Sequence, residues 1–337
     1  MTIHFLDSTT AMQQFLDDLG DCDNQPPRLF VDLEGNNLSR HGTVSLITIL
    51  LEPERDTYII DVTTLGQRTF TTPGKDKRSL QTILESSQII KVFFDVRNDN
   101  DALYSLYGIR LNGIEDIQLM ELASRTSAKR NVNGLARCIQ QDAEMGYEEK
   151  KRWHAVKENG KAMFDPARGG GYAVFDQRPL PEDMMSYCVQ DVVFMPQLRR
   201  TYRQKLCDAW WKKIERETEA RVELSRSPSF QGKGRHMACG PPSWLHWRPS
   251  RAERQSRTLL DDPPPRPSIA RFSHPSSIED RCTSTTNHDQ DLVAMTRTLD
   301  LTENDDSSKR GVDDEGDGFD AFDHMSPELV SLEDDAP

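Results

Sequence analysis

The sequence predicts a mixed α/β fold, in which a β-sheet is flanked by helices and followed by a long polar C-terminal segment. Three strand-like segments come first and are joined by short loops, which is typical of antiparallel pairing. A helix, a fourth strand and further helices follow, so the chain lacks the strict βαβ alternation of a doubly wound fold. Only 36% of the 337 residues are hydrophobic, a low fraction for a globular protein of this length. The composition therefore predicts that part of the chain lies outside the folded domain.

The elements are predicted from periodicity and from start and stop signals. Ser8 precedes an apolar stripe with helical spacing that ends at Gly20, which indicates the first helix. Strands are predicted over 28–34, 42–51, 56–62 and 89–95. Helices are predicted over 79–86, 98–108, 117–125 and 132–140, and over 181–224 as one helix or two helices divided near Pro196. Residues 141–180 show no clear periodicity and are predicted to form a long loop.

Charge is distributed unevenly along the chain, whose formal net charge is −13. Residues 1–205 carry 25 basic and 29 acidic side chains, residues 206–260 carry 11 and 6, and residues 261–337 carry 6 and 20. The acidity therefore belongs mostly to the C-terminal segment and does not exclude a nucleic-acid partner for the rest. These changes in composition predict a folded domain over 1–226, a basic Pro/Gly-rich extension over 227–260 and an acidic disordered tail over 261–337. The tail is also a candidate binding site for a protein partner.

Cysteine spacing and hydropathy restrict the cellular compartments in which we expect the protein. The six cysteines are scattered, without a Cys-x-x-Cys pair or zinc spacing, which favours reduced intracellular thiols. The N-terminal segment lacks the basic and apolar regions of a signal peptide, and no run of 18 apolar residues predicts a membrane span. We therefore expect an intracellular protein, nuclear or cytoplasmic, that has no membrane partner. Nothing in the sequence indicates an oligomeric state.

An acidic pair lies at the end of the first predicted strand, in the segment LFVDLEG at residues 29–35. Side chains two positions apart on a strand point to the same face, so Asp32 and Glu34 lie side by side, opposite Val31 and Leu33. Adjacent carboxylates repel one another unless a cation lies between them. The pair therefore predicts either a divalent metal ion or a strand end that frays into solvent. The same Asp-x-Glu spacing occurs twice more in polar stretches, so spacing alone does not decide.

Two further groups of polar side chains occur downstream. Asp95, Asp99 and Asp101 surround the junction between the fourth strand and the following helix, where a helix N-cap explains only one of them. Tyr187 and Asp191 are four residues apart and share one face of a predicted helix. This spacing fits either a Tyr–Asp hydrogen bond or part of a functional site.

Together, the three groups resemble the motifs of the DEDD superfamily of 3′–5′ exonucleases, in its tyrosine branch. Residues 28–205 are similar to the ribonuclease D, Rrp-type and Werner-type exonuclease domains, and to eukaryotic Egalitarian-like exonuclease-domain proteins. The similarity lies in VDLEGNNLSRHGTVSLITI, KVFFDVRNDNDALYSLYGIRLNGIEDIQL and RPLPEDMMSYCVQDVVFMPQL, which occur in the family's order and spacing. The chain departs from the family at Leu33 and Phe94, where relatives often have Thr and His. Neither position is a metal ligand in the family pattern.

The resemblance implies an RNase H-like fold with a five-stranded mixed sheet, whose first three strands are antiparallel. It implies that Asp32, Glu34 and Asp191 ligate one Mg²⁺ or Mn²⁺ ion. It further implies that Asp32 bridges to a second ion supported by Asp99 through water, and that Tyr187 orients the attacking water. Two such ions activate a water and stabilise charge on the attacking and leaving oxygens of a phosphodiester. Carboxylate oxygens are the ligands that hard divalent ions prefer.

The acid of the second motif has two candidates. Asp99 is preferred because it stands at the family's spacing after Lys91 and Val92. Asp95 is the alternative.

A basic and aromatic group lies in the predicted loop between the second and third motifs. Lys150, Lys151, Arg152 and Trp153 have the side chains needed to hold phosphates and to stack a base. The alternative is an ordinary solvated loop.

Two functions follow from the resemblance. The first is a metal-dependent 3′–5′ exonuclease that acts on single-stranded RNA or DNA, with RNA slightly favoured. The second is a catalytically silent exonuclease-like domain that binds RNA or a protein partner. The complete set of acidic residues favours the first.

Overall fold

The computed structural model describes residues 2–20, 28–52 and 56–256. Within these ranges, one mixed sheet contains six strands, in the spatial order β1-β4-β3-β2-β5-β6. The strands are β1 (Ile3–Leu6), β2 (Arg28–Glu34), β3 (Leu46–Glu52), β4 (Thr57–Asp61), β5 (Lys91–Phe93) and β6 (Ile114–Asp116). The acidic disordered tail predicted over 261–337 lies outside the described residues.

Helices cover the sheet. The α-helices of the described ranges are α1 (Thr9–Gly20), α2 (Val62–Leu65), α3 (Arg68–Thr71), α4 (Leu80–Glu85), α5 (Arg97–Tyr107), α6 (Ile117–Ser124), α7 (Leu135–Asp142), α8 (Tyr147–Phe164), α9 (Glu182–Val193), α10 (Met195–Arg203), α11 (Asp208–Arg226) and α12 (Arg251–Gln255). Short 3₁₀ helices lie at Pro166–Arg168, Tyr172–Asp176, Arg235–Ala238 and Pro242–Trp244. In this part of the chain, no helix combines the length and the apolar character needed to cross a membrane.

The predicted fold class is confirmed, with one correction to the sheet. Strands β2, β3 and β4 are antiparallel neighbours, as expected, while β5 pairs with β2 in parallel. The sheet has six strands rather than five, because β1 pairs in parallel with β4 at one edge and β6 pairs in parallel with β5 at the other. Both added strands are short, with four and three residues, and a segment of that length shows no periodicity of its own.

The predicted long loop at 141–180 is wrong, because 18 of its residues form α8. The buried side of this helix consists of Trp153, Lys157, Gly160 and Phe164, which are spaced by four, three and four residues. That is the period of one helix face. Two of the four residues are a lysine and a glycine, so the face does not show as an apolar stripe. The segment 181–224 also differs from expectation, since it forms three helices, α9, α10 and α11.

The two faces of β2 meet different environments, and this positions the site. Leu29, Val31 and Leu33 join the apolar cluster that also contains residues of α1, α4 and α5. Phe30, on the other face, joins the cluster that contains residues of α6, α7 and α10. Alternation along the strand therefore places Asp32 and Glu34 on the same face as Phe30, and α9 packs against this strand.

The part of the basic extension that the structure describes packs onto the same body. Trp244 is 1% exposed, and its ring lies edge-on to Trp210 of α11 with 5.2 Å between ring centroids. A guanidinium nitrogen of Arg97 donates a hydrogen bond of 2.7 Å to the carbonyl of Met237. Buried contacts at Met237 and Trp244 thus hold this part of the extension against the domain.

Candidate active site

Three carboxylates converge where β2 meets α9. Asp32, Glu34 and Asp191 each place an oxygen within 4.8 Å of the others. Glu34 and Asp191 are buried, and Asp32 is partly buried. Oδ2 of Asp32 is buried without a hydrogen-bond partner in the described ranges. A buried, unpartnered carboxylate oxygen in a group of three acids fits the donor set of a hard divalent ion.

The electrostatics of the cluster favour a bound cation. Burial raises the pKa of Asp32 well above its ordinary value, and the negative charges of Glu34 and Asp191 raise it further. Asp99 adds a smaller effect in the same direction, while the ammonium of Lys157 lowers the pKa. The pKa of Asp32 remains raised despite this ammonium, so a cation bound between the acids would relieve the repulsion that remains. The cluster therefore has the chemistry of a cation site.

Asp99 lies beside the cluster, in the first turn of α5. It is 8% exposed. Burial, followed by the charge of Asp95, raises the pKa of Asp99 to about 8. Asp99 and Asp32 line the same cleft. Asp99 therefore lies near Asp32 and Glu34. It is not one of the three carboxylates that converge within 4.8 Å.

Asp95 also lines the cleft, and two arginine side chains pair with it. Nε of Arg97 donates to it at 2.6 Å, and a guanidinium nitrogen of Arg221 lies 3.4 Å away. Although burial opposes ionisation, these two guanidinium groups hold the pKa of Asp95 well below its ordinary range. Arg221 also donates to Asp116, the N-cap of α6, at 2.7 Å. This ion-pair network joins α11 to the sheet.

A lysine that the sequence analysis did not single out enters the site from α8. Nζ of Lys157 donates to the two carboxylate oxygens of Asp191 at 2.9 and 3.2 Å, and to the hydroxyl of Tyr187 at 3.2 Å. Lys157 is 4% exposed and Tyr187 is 1% exposed. One turn further along α8, Gly160 lies against the ring of Tyr187, where a Cβ atom would come within 2.3 Å of Cδ2. The residues at 157 and 160 therefore fit α8 closely onto the face of α9 that carries Tyr187 and Asp191.

A cleft of about 660 Å³ opens beside the acids. One wall contains Lys161, Arg168 and Tyr172, which lie in or directly after α8. Another wall comes from residues 230–233 of the basic extension. Basic and aromatic side chains around a cleft of this kind suit a phosphate-bearing, base-bearing ligand.

The predicted nucleic-acid contacts at 150–153 lie away from this cleft. Trp153 is 5% exposed and packs in the apolar core, so its ring is not presented to a base. Nζ of Lys150 donates to the carbonyl of Gln140 at 2.9 Å, and Lys151 and Arg152 are exposed. The reason for the difference is the helix: α8 turns Trp153 inward and the three basic residues outward.

Comparison with protein families gives one match that covers most of the described chain. Residues 3–206 match a family model described as 3′–5′ exonuclease. This range contains β1 to β6, both strand acids, and the helices that carry Lys157, Tyr187 and Asp191.

Solved structures share the fold. The RNase D of Trypanosoma brucei in complex with RNA U12 superposes with a TM-score of 0.57 at 21% identity, covering 72% of this chain and 77% of that chain. The GMP complex of the same enzyme gives a TM-score of 0.56 at 22% identity, over 72% and 70% of the two chains.

Curated relatives match over a shorter segment. The piRNA biogenesis protein EXD1 of Mus musculus is 35% identical over 94 residues, which is 28% of this chain and 15% of the relative. The human protein of the same name is also 35% identical over 94 residues, 17% of its length. The match therefore spans less than a fifth of these relatives.

Proposed function

Because the chain belongs to the 3′–5′ exonuclease family, we propose that it is a metal-dependent enzyme that removes nucleotides from the 3′ end of single-stranded nucleic acid. The observation that carries the proposal is the convergence of Asp32, Glu34 and Asp191 within 4.8 Å, beside a cleft large enough for a nucleotide. The unpartnered Oδ2 of Asp32 supports it, since a cation would satisfy this oxygen.

The proposal assigns the four acidic residues to two metal ions. Asp32, Glu34 and Asp191 would hold one Mg²⁺ or Mn²⁺ ion, and Asp32 together with Asp99 would support a second. Two such ions supply an activated water and stabilise charge on the attacking and leaving oxygens. The hydroxyl of Tyr187 orients the attacking water, and the rigid packing of α8 against α9 fixes the position of that hydroxyl.

RNA is the preferred substrate class in this proposal. The Trypanosoma brucei RNase D with the same fold was solved with RNA bound, and the curated relatives are named for piRNA biogenesis. Within the cleft, Arg168 and Lys233 are suited to phosphates, and Tyr172 is suited to a base.

The test uses single-stranded RNA and DNA of one sequence, labelled at the 5′ end, with Mg²⁺, Mn²⁺ or EDTA. We expect a ladder that shortens from the 3′ end when metal is present, that is lost in Asp32→Ala and strongly reduced in Tyr187→Phe. Glu144→Ala is the matched control, because Glu144 is an exposed acid outside the cluster. Equal degradation by wild type and Asp32→Ala would exclude this site as its source.

The ion pair between Lys157 and Asp191 favours one alternative. An acid that already has an internal counter-ion fits a catalytically silent domain that binds nucleic acid. Retention of the labelled oligonucleotide without cleavage, in either metal, would select this second function.

A further inference from the structure

Lys157 is a buried cation placed among the groups that the proposed mechanism assigns to metal binding. Its ammonium contacts both oxygens of Asp191 at 2.9 and 3.2 Å, and lies 4.4 Å from the ring centroid of Tyr187. Its influence reaches past Asp191, because it also stabilises the charged form of Asp32. The ammonium therefore acts on the acidic cluster as a positive charge from within the protein.

Lys157 is held by polar contacts although it lies on the buried face of α8. The other buried residues of that face are Trp153, Gly160 and Phe164, whereas the ammonium contacts Asp191 and the hydroxyl of Tyr187. Replacing a buried ion pair by apolar side chains is often neutral or stabilising, whereas removing one partner leaves an uncompensated charge. The lysine is thus matched to Asp191 rather than to the apolar surroundings of the helix.

An ammonium and a divalent ion make opposing demands on Asp191. An ammonium has three donors and no lone pair, so it cannot join a coordination sphere and repels any cation bound beside it. A metal that binds Asp191 through both oxygens must therefore take the carboxylate from Lys157, and a metal that binds through one oxygen shares the carboxylate with an ammonium that repels it. The four-carbon stem of lysine is flexible, so rotation about its side-chain bonds can shift the ammonium relative to Asp191.

We propose that Lys157 competes with the divalent ion for Asp191 and thereby weakens the affinity of the site for metal. The inference rests on the proposed function, since it requires the acidic cluster to bind a metal ion. Its consequence is that filling the site requires a higher concentration of divalent ion than the three carboxylates alone would need, because the ammonium occupies Asp191 in the absence of metal.

The test measures Mn²⁺ binding directly, by titration of the full-length protein followed through the electron paramagnetic resonance of free Mn²⁺. We expect Lys157→Met and Lys157→Gln to bind Mn²⁺ about tenfold more tightly or better, since one opposite charge within a few ångströms already changes the proton affinity of a carboxylate by one to three orders of magnitude. Lys157→Arg keeps the charge and should remain close to wild type. Lys150→Met removes a charge from the exposed side of α8 and is the matched control.

Each outcome separates the two proposals. Mn²⁺ binding that is lost in Asp32→Ala but is equal in wild type and Lys157→Met overturns the role of Lys157 and leaves the metal site intact. Weaker binding in Lys157→Met also overturns it. Absence of Mn²⁺ binding in wild type and in all Lys157 variants overturns the metal-dependent function itself.

A measurement on the wild type keeps the inference testable if the neutral variants do not fold. With ¹³C at lysine Cε, we expect the resonance of Lys157 to shift on addition of Mg²⁺ by more than that of Lys150. A Lys157 resonance that stays in place while Mg²⁺ binds would show that the ammonium does not give way.

Discussion

The raised pKa of Asp99 makes the free energy of unfolding depend on pH. Burial and the neighbouring Asp95 raise the pKa of Asp99 to about 8, against 3.8 for an unperturbed aspartate. Between about pH 4 and about pH 8 the folded protein therefore binds more protons at this position than the unfolded chain does. The free energy of unfolding must then fall as the pH rises through this window, by up to about 1.4 kcal/mol per pH unit from this residue.

We predict that Asp99→Asn removes this component of the pH dependence. The asparagine carries no charge, so the stability of wild type relative to the variant should decline steadily from about pH 5 to about pH 8. Urea unfolding in EDTA at several pH values measures the difference. Glu144→Gln, at an exposed acid, should give a curve parallel to wild type. Parallel curves for wild type and Asp99→Asn would show that Asp99 is ionised in the folded protein throughout.

The pairing of α8 with α9 is the element-scale feature on which the site depends. Gly160 lets the two helices approach, because a Cβ atom there would lie 2.3 Å from Cδ2 of Tyr187 and 2.6 Å from Cγ. The ring of Tyr187 is also held by Phe164, with 5.2 Å between centroids, and has no room to retreat. Any substitution at 160 must therefore move either α8 or the tyrosine.

We predict that Gly160→Ala destabilises the protein by about 1–3 kcal/mol, as overpacking of a filled core does. It should also reduce metal-dependent cleavage by more than the loss of folded protein explains, because the shift moves the Tyr187 hydroxyl. Gly146→Ala is the matched control, since a Cβ at the start of the same helix meets nothing within 4 Å. The prediction needs melting curves and initial rates for both variants. Wild-type behaviour of Gly160→Ala would mean that α8 is free to adjust.

Local patterns predicted the elements whose buried faces are apolar. The alternation around Val31 and Leu33 predicted β2, and the capping signal at Ser8 predicted α1, which begins at Thr9. The helix α8 was missed because its buried face includes Lys157 and Gly160, which are inward-facing only in the context of α9. A periodicity argument counts apolar residues, and so it fails where a helix packs through a charge and a glycine.

The acids of the site were predictable for a different reason. Period-two spacing put Asp32 and Glu34 on one face, and period-four spacing did the same for Tyr187 and Asp191. That these pairs meet in space followed only from the resemblance to a known family, because no local pattern encodes which helix crosses which strand. Lys157 belongs to no motif in the sequence analysis and emerges from tertiary packing alone.

At the scale of the whole molecule, the cleft is completed by chain beyond the part that matches the family model. The match ends at residue 206, whereas residues 230–233 form one wall of the cleft. Arg40, which lies near the first motif, fixes the chain just before this wall by donating hydrogen bonds to the carbonyls of Ser225 and Ser227 at 3.0 and 2.9 Å. The basic extension therefore shapes the site as well as adding charge near it.

Trp244 is the main apolar anchor of this extension. It is 1% exposed and lies in the same core cluster as Trp210 and Leu122. Large-to-small substitution of a buried tryptophan removes its transfer free energy and leaves a cavity, which together cost about 3–5 kcal/mol. Only a short stretch of chain separates Trp244 from the cleft wall. Removal of the Trp244 side chain should therefore also make residues 230–233 more mobile.

We predict that Trp244→Ala lowers the free energy of unfolding by about 3–5 kcal/mol and makes the chain more susceptible to trypsin after Lys233 or Arg235. Leu224→Ala is the control, because Leu224 is 53% exposed and its removal leaves no cavity. Denaturation curves give the first quantity, and the cleaved peptides identified by mass spectrometry give the second. If Trp244→Ala were destabilised without faster cleavage at these two sites, the cleft wall would be held independently of the tryptophan. Arg40 would then be the residue that holds this wall in place. Its hydrogen bonds to the carbonyls of Ser225 and Ser227 connect the chain just before the cleft wall to the loop that follows Asp32 and Glu34.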